Sequence, residues 1–254
     1  MIDADTLTDD AFLGGKLLLR QRRRGHRAGH DAILLAAATA ARVGDRVVDF
    51  GAGVGAAGLA LARRIGGLDL TLVEIEPGLA ELARHNAAAN GLPARVLELD
   101  IAAGAAAFAA AGLPADSADV VLMNPPFNDP VRHRRSPDAA RGLAHQAETG
   151  TLGGWVHAAR RVLRPGGALT LIWRAEALAE VLGALERGFG SVRVLPVHPD
   201  PAAPAIRILV RAVKGGRAPL QLLAGVALND QAGQPHPALQ AVMRGEQLLA
   251  LAAA

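Results

Sequence analysis

Asp49-Phe50-Gly51-Ala52-Gly53-Val54-Gly55 is the stretch on which the reading of this chain turns. It continues the short apolar run Val47-Val48-Asp49-Phe50 and leads into the helix-like Ala56 to Ile65, so strand, glycine turn and helix are written in succession. Glycine keeps such a turn tight and lets a ligand approach the backbone beside a helix N-terminus. Outward from it, Leu70 to Glu74, Arg95 to Leu99, Val120 to Met123 and Ala168 to Trp173 read as strands. They alternate with helix-like Gly78 to Asn90, Ala103 to Ala111 and Leu152 to Leu163. Such alternation builds right-handed βαβ units, a parallel sheet with helices on both faces. The last two strand-like runs, Val192 to Val197 and Ile206 to Val213, are joined only by His198 to Ala205. A parallel crossover needs about a dozen residues or more, so this pair is expected to be antiparallel. The expectation is an α/β, Rossmann-like fold: a seven-stranded, mostly parallel sheet ending in an antiparallel hairpin.

Composition bounds the chemistry. The 254 residues, 51% hydrophobic and 20% charged, suit one main domain that needs no covalent staples. With no cysteine, disulfides, thiol catalysis and iron–sulfur or zinc-knuckle ligation are excluded, and the histidines lack metal-ligand spacing, so no metal is expected. With no tyrosine and 3% aromatics, the core must come from Leu, Val, Ile and Ala. Met1 to Asp10 is acidic, unlike a signal peptide, and the longest uncharged stretch, Ile101 to Ala115, is shorter than a membrane span. A cytoplasmic protein with no membrane partner is therefore expected. Three parts are expected: residues 1–30, a basic N-terminal segment; residues 31–213, the α/β domain; and residues 214–254, an extension to which no chemistry is assigned. That extension carries a strand-like run, Leu220 to Leu228, and a helical run, Pro237 to Leu251.

Gly53-Val54-Gly55-Ala56-Ala57-Gly58 has the spacing G-x-G-x-x-G, and Glu74 stands about 20 residues on, where a ribose-binding acid belongs. Taken alone, the motif permits a nicotinamide dinucleotide. Asp49 argues otherwise, because a carboxylate at the strand end repels a pyrophosphate but suits a cationic amino group and a sulfonium. S-Adenosyl-L-methionine is such a ligand, and S-adenosyl-L-homocysteine its demethylated product. Glu74 can take both ribose hydroxyls. Asp100, closing the third strand, can accept from the adenine amino group or cap the following helix. Ile75 can pack on the adenine face, and Ile101 is grouped with these cofactor contacts.

After the fourth strand comes Asn124-Pro125-Pro126-Phe127. A residue preceding proline is pushed out of the helical region, so Asn124 and Pro125 are held extended, and two backbone donors are removed. What remains is rigid and rich in acceptors: the Asn124 side-chain oxygen and the Pro125 carbonyl. These suit methylation of a planar exocyclic amine, whose lone pair is delocalised into its ring. Two acceptors gripping its hydrogens favour a more tetrahedral nitrogen, and positioning then carries the reaction without a strong base. Phe127 can stack on the target base, worth about 1–3 kcal/mol, once that base is flipped out. Asn124, Pro125, Pro126 and Phe127 are thus the catalytic candidates, with Asn124 also counted among the cofactor contacts.

With these motifs in place, the chain resembles the class I S-adenosylmethionine-dependent methyltransferases bearing an (N/D)PP(F/Y) motif, whose sheet ends in an antiparallel hairpin. Within them it is most similar, from about Phe12 to Trp173, to the bacterial tRNA(Val) adenine-N6 methyltransferase group. Gly29-His30-Asp31-Ala32-Ile33-Leu34-Leu35 carries the added likeness, with His30 where that group has Thr. The resemblance implies cofactor contacts by Gly29, Asp31, Asp49, Gly51, Gly53, Glu74 and Asp100, and target-amine contacts by Asn124, Pro125 and Phe127. Guanine-N2 methyltransferases of ribosomal RNA share the Asn and Phe, while glutamine methyltransferases favour Tyr.

The net charge of +3 is unevenly spread. Lys16 to His30 holds +6 and Asn128 to His145 holds +2, leaving −5 elsewhere. Arg20, Arg22, Arg23, Arg24 and Arg27 precede the Gly29 segment, and Arg132, Arg134 and Arg135 follow the Asn124 tetrapeptide. Cations flanking a pocket are what phosphate binding needs; together with the resemblance, this makes RNA, tRNA first, the expected partner. The expected activity is methylation of N6 of adenine in tRNA. Guanine-N2 of ribosomal RNA, DNA adenine and protein glutamine are its alternatives, with a nicotinamide oxidoreductase or a non-catalytic RNA-binding protein further off.

Overall fold

In the computed structural model, residues 6–24, 27–126 and 139–253 are described, side chains of 139–150 excepted. The chain opens with an antiparallel hairpin, β1 (Leu7–Phe12) and β2 (Leu17–Arg22), followed by α1 (His30–Ala38). Alternation then begins: β3 (Arg46–Phe50), α2 (Ala56–Ile65), β4 (Asp69–Glu74), α3 (Pro77–Ala89), β5 (Arg95–Glu98), α4 (Ala105–Ala110), β6 (Ala118–Met123) and α5 (Ala139–Val162). After it come β7 (Leu163–Arg174), α6 (Leu178–Leu185), β8 (Phe189–His198) and β9 (Arg207–Lys214). Two two-residue strands, β10 (Gln221–Leu222) and β11 (Val226–Ala227), and α7 (Pro237–Met243) complete it.

The sheet runs β5-β4-β3-β6-β7-β9-β8. β3 to β7 are parallel, and β9 is antiparallel to both β7 and β8, as the eight-residue connection requires. These seven strands are the expected ones; β10 and β11 both pair with β8 and bring the sheet to nine. Leu220 to Leu228, expected as one strand, is broken in two where its register on β8 slips by one residue between Leu222↔Val194 and Val226↔Val197; Gly225 lies in this break, close to the His198 ring, where a Cβ would lie 2.6 Å from Nε2. The helix expected to reach Leu251 ends at Met243: Gly245, at φ +70°, lets Glu246 N–H return to the Ala241 carbonyl and close the last turn. α6 has no counterpart among the expected elements, and α5 begins at Ala139 rather than Leu152.

The faces of the sheet divide the core by the two-residue period of the strands. Val47, Leu70, Leu72, Val120 and Leu122 pack with α1, α2 and α3, while Val48, Phe50, Val73, Val121 and Met123 pack with α4, α5 and α6. The tail joins the first face. Leu239, Val242, Leu249 and Leu251 are buried beside α1, and Leu249 N–H donates to the Ala37 carbonyl.

The hairpin that forms from the N-terminal basic run is held by two asparagines. Asn86 and Asn90 lie one turn apart at the end of α3. Asn90 Oδ1 accepts Leu18 N–H (2.9 Å) and its Nδ2 donates to Leu18 O (2.7 Å). Asn86 repeats the pattern on Arg20, at 2.8 and 3.0 Å. Four residues of helix rise about 6 Å and two residues of strand about 6.8 Å, so the two carboxamides meet alternate backbone groups of β2 as a neighbouring strand would. Asn86 Nδ2 also donates to Val54 O (3.0 Å), tying the hairpin to the glycine turn. Because Asn86 is 1% exposed, its loss strands three backbone groups. Asn86→Ala is expected to cost about 2–4 kcal/mol in urea unfolding; a cost under about 1 kcal/mol would mean the hairpin is held by its leucines alone.

Candidate active site

The order of the parallel strands reverses at β3, flanked by β4 on one side and β6 on the other, and the crevice at such a switch point, beyond the strand C-termini, is where α/β sheets bind ligands. Register makes the gathering concrete. Phe50 pairs with Val73 and with Met123, so Gly51 emerges between Glu74 and Asn124, and Glu74 itself pairs with Glu98. Asp49, the glycine turn, Glu74, Asp100 and Asn124 are thereby brought to one edge.

Asp49 is 2% exposed. Its Oδ2 accepts the N–H of Gly58 (2.8 Å) in the first turn of α2, a helix whose own N-cap, Gly55, offers no side-chain acceptor. Gly58 is required here for space, since a Cβ would lie 2.6 Å from Leu72 Cδ2 and 3.0 Å from the carboxylate. Burial pushes the Asp49 carboxyl up to about 7; the Gly58 N–H opposes that and the neighbouring Glu74 charge adds to it. Glu74 is 7% exposed and doubly bound: Oε2 accepts Gly53 N–H (2.8 Å) and Oε1 accepts Glu76 N–H (2.9 Å). The expected ribose-binding acid therefore also sets the glycine turn.

Gly29 precedes α1 in extended geometry, and Asp31, in the first turn, pairs with Arg207 of β9 (3.0 Å). Asp100 is exposed and accepts Ala102 N–H through Oδ1 (2.8 Å), closing a turn rather than capping the following helix, whose N-cap is Gly104 with no side-chain acceptor; Oδ2 is left over. Ile75 is 62% exposed, an apolar side chain at the strand edge, whereas Ile101 is buried against the α4 side. Asn124 Oδ1 is buried and has no partner among the described residues. Pro125 is buried and Pro126 exposed. Phe127, Arg132, Arg134 and Arg135 lie outside the described residues.

The basic run is less free than its sequence suggests. Arg20 forms a fork on Asp9 (2.8 and 3.0 Å), Arg27 pairs with Asp10 (2.6 Å), and Arg22 pairs with Glu76. These acids are remote or on the partner strand, so a scan for local charge could not pair them. Arg23 and Arg24 remain exposed and without an ion pair among the described residues. Two further contributors escaped sequence reasoning. Asn86 carries the i, i+4 spacing with Asn90 as its only signal, and Trp155, on α5, reads as core. A Cβ on Gly51, which sits at φ +66°, would run into the Trp155 ring, 2.9 Å from Cζ3.

This strand order, with its antiparallel end and a glycine turn at the switch point, defines the class I methyltransferase fold. The chain belongs to the methyltransferase small domain family, whose model matches residues 30–198. It is 32% identical over 169 residues to the tRNA1(Val) (adenine(37)-N6)-methyltransferase of Porphyromonas gingivalis, a match covering 61% of each chain. It is 33% identical over 152 residues to ribosomal RNA small subunit methyltransferase C of Pseudomonas aeruginosa, covering 60% of this chain and 38% of that one. Matches to these curated relatives thus span about three fifths of the first and less of the second. Among solved structures, a predicted O-methyltransferase of Agrobacterium tumefaciens, protein Atu636, superposes with a TM-score of 0.72 at 32% identity, over 86% of this chain and 98% of that one. No helix among the described residues is long and apolar enough to cross a membrane.

The raised carboxyl of Asp49 makes stability depend on pH in a definite direction. Its folded-state value, about 7, lies above the ordinary 3.8, so its favourable contribution is complete below that lower value and is lost as pH rises to about 7. Asn keeps the acceptor for Gly58 N–H without the charge. Asp49→Asn is therefore expected to melt above the wild type at pH 8, with the gap shrinking at pH 5. Equal gaps at the two pH values, by thermal denaturation, would show that burial does not perturb this carboxyl.

Proposed function

We propose that the chain is an S-adenosyl-L-methionine-dependent methyltransferase acting on an exocyclic amino group of RNA, with N6 of adenine in tRNA as the target. The observation that carries this reading is Asn124 Oδ1: a buried acceptor without a partner among the described residues, one residue beyond Met123 and beside the glycine turn. A buried acceptor is costly to leave unpaired, so such a group marks a place where a donor arrives. The residues present suit the methyl donor. Asp49 and Glu74 put two acids at the edge, matching a cation and a ribose diol, where a pyrophosphate would meet only like charge. Asp100 Oδ2 and the exposed Ile75 suit an adenine ring. Bound S-adenosyl-L-methionine would supply an electrophilic methyl group and leave as S-adenosyl-L-homocysteine.

In this reading the protein binds and orients. Asn124 Oδ1 and the Pro125 carbonyl accept the two N–H groups of the target amine and hold its lone pair toward the donor. The attacking nitrogen loses its proton to water after the new N–C bond forms. Arg23 and Arg24 contact phosphates, joined by Arg132, Arg134 and Arg135, while Arg20, Arg22 and Arg27 hold the hairpin. A tRNA substrate implies a cytoplasmic protein. Guanine-N2 of ribosomal RNA is the second reading; the likeness to ribosomal RNA small subunit methyltransferase C of Pseudomonas aeruginosa favours the RNA, and the Asn and Phe of the tetrapeptide the base. Methyl transfer to RNA from cells lacking the enzyme, followed by nucleoside analysis, decides between them: N6-methyladenosine supports the first, and N2-methylguanosine replaces it.

Asn124→Ala should lower kcat at least about 100-fold, the scale of removing one positioned catalytic hydrogen bond, while calorimetric binding of S-adenosyl-L-homocysteine stays within a few-fold. A parallel fall in that binding would make Asn124 a structural residue. Replacing Arg23 and Arg24 with Ala should make the slope of log affinity for tRNA against log salt shallower, by about 1 for each phosphate that is no longer neutralised. Arg20→Ala should leave it nearly unchanged, and the reverse pattern would move the RNA to the Asp9 face of the hairpin.

A further inference from the structure

Trp155 has no place in the activity as proposed so far, yet it touches the residue at the centre of the site. Its ring edge, Cη2 and Cζ3, lies where a Cβ of Gly51 would be. Gly51 follows Phe50, whose partner in β6 is Met123, so Gly51 and Asn124 are neighbours across the sheet, and the indole edge meets the first of them. The ring is half-buried, packed at the margin of the core between the sheet and α4, α5 and α6, and part of it is open to solvent. The other described aromatics are not available to a ligand at this edge. Phe50, Phe108 and Trp173 are fully buried, Phe189 is 9% exposed at the start of β8, and Phe12 belongs to the hairpin.

We propose that Trp155 is the aromatic wall of the donor pocket and selects the cationic sulfonium over its neutral thioether product. A sulfonium has no N–H or O–H to donate, so hydrogen bonding cannot recognise it; only negative charge and electron-rich surfaces can. Asp49 supplies charge from beneath the glycine turn, where its carboxylate is engaged by Gly58. The face of an indole supplies the second kind of surface, and it is the best of the aromatic side chains for a cation. The same contact explains Gly51 twice over: the left-handed φ of +66° favours glycine, and any side chain would displace the ring. Preference for sulfonium over thioether has a direct use, because the product must leave for the next methyl donor to enter.

The inference rests on the methyl donor assigned under the proposed function, and calorimetry on the full chain separates the two. S-Adenosyl-L-methionine and S-adenosyl-L-homocysteine are titrated into wild type, Trp155→Phe and Trp155→Leu. Trp155→Leu should bind the sulfonium about 2- to 30-fold more weakly, the range expected for a cation over an aromatic face, with a smaller change for the thioether, so the affinity ratio falls. Trp155→Phe should retain most of that ratio. An unchanged ratio in the Leu variant overturns the proposal while leaving the donor intact; failure of both ligands to bind the wild type overturns donor and proposal together. A second measurement does not depend on the Leu variant folding. The chain has two tryptophans and no tyrosine, so the emission change on adding S-adenosyl-L-methionine to the wild type should vanish in Trp155→Phe. Its persistence would assign the signal to Trp173 and remove Trp155 from the pocket.

Discussion

A carboxylate buried at the end of the central strand is the constraint around which this molecule is arranged. Asp49 cannot reach solvent, and its one described hydrogen-bond donor, Gly58 N–H, comes from the first turn of α2. That contact sets the start of α2 immediately after the turn and places the positive end of a helix dipole against the charge, while glycine at 58 leaves room for Leu72 and the carboxylate. Glu74 continues the same logic on the next strand, where two backbone N–H groups hold its carboxylate and one of them belongs to the turn. The Glu74 charge adds to what burial does to the Asp49 carboxyl, and the proposed function places a cation beside these two acids.

The N-terminal hairpin is bound to this edge rather than appended to it. Asn86 joins β2 to Val54 of the turn, and Arg22 pairs with Glu76, two residues past Glu74. Any force on the hairpin is therefore passed to the glycine turn, including one from RNA if Arg23 and Arg24 contact it as proposed. On the opposite side Trp155 joins α5 to Gly51, and α5 follows the tetrapeptide in the chain. The glycine turn is thus held by α3 at Val54 and met by α5 at Gly51.

Much of this was legible in one dimension. Alternating runs of period 2 and 3.6, an eight-residue connection too short for a crossover, and glycine and Asn-Pro-Pro placed after strands led to the seven central strands and their directions. Those signals are local, and each states what its own backbone must do. The sequence also located Asp49, Glu74, Asp100 and Asn124 at strand ends, because the end of an apolar run is visible without knowing its neighbours.

Pairing across distance was not legible. A run with no acid between Asp10 and Asp31 reads as a free cationic patch, yet Arg20, Arg27 and Arg22 are matched by Asp9, Asp10 and Glu76, the first two only because the hairpin turns back. Trp155 reads as one more apolar residue of a helix until the fold lays it on Gly51, and Asn86 as a polar residue of an exposed face until β2 lies against it. By itself the sequence determined the elements, their order and the chemistry of the strand ends, because backbone conformation and hydrophobic period are properties of neighbouring residues. Only the tertiary structure decided which charges are spent, which acceptor is left without a partner and which ring edge meets the turn, because burial and partnership arise between residues that the chain keeps far apart.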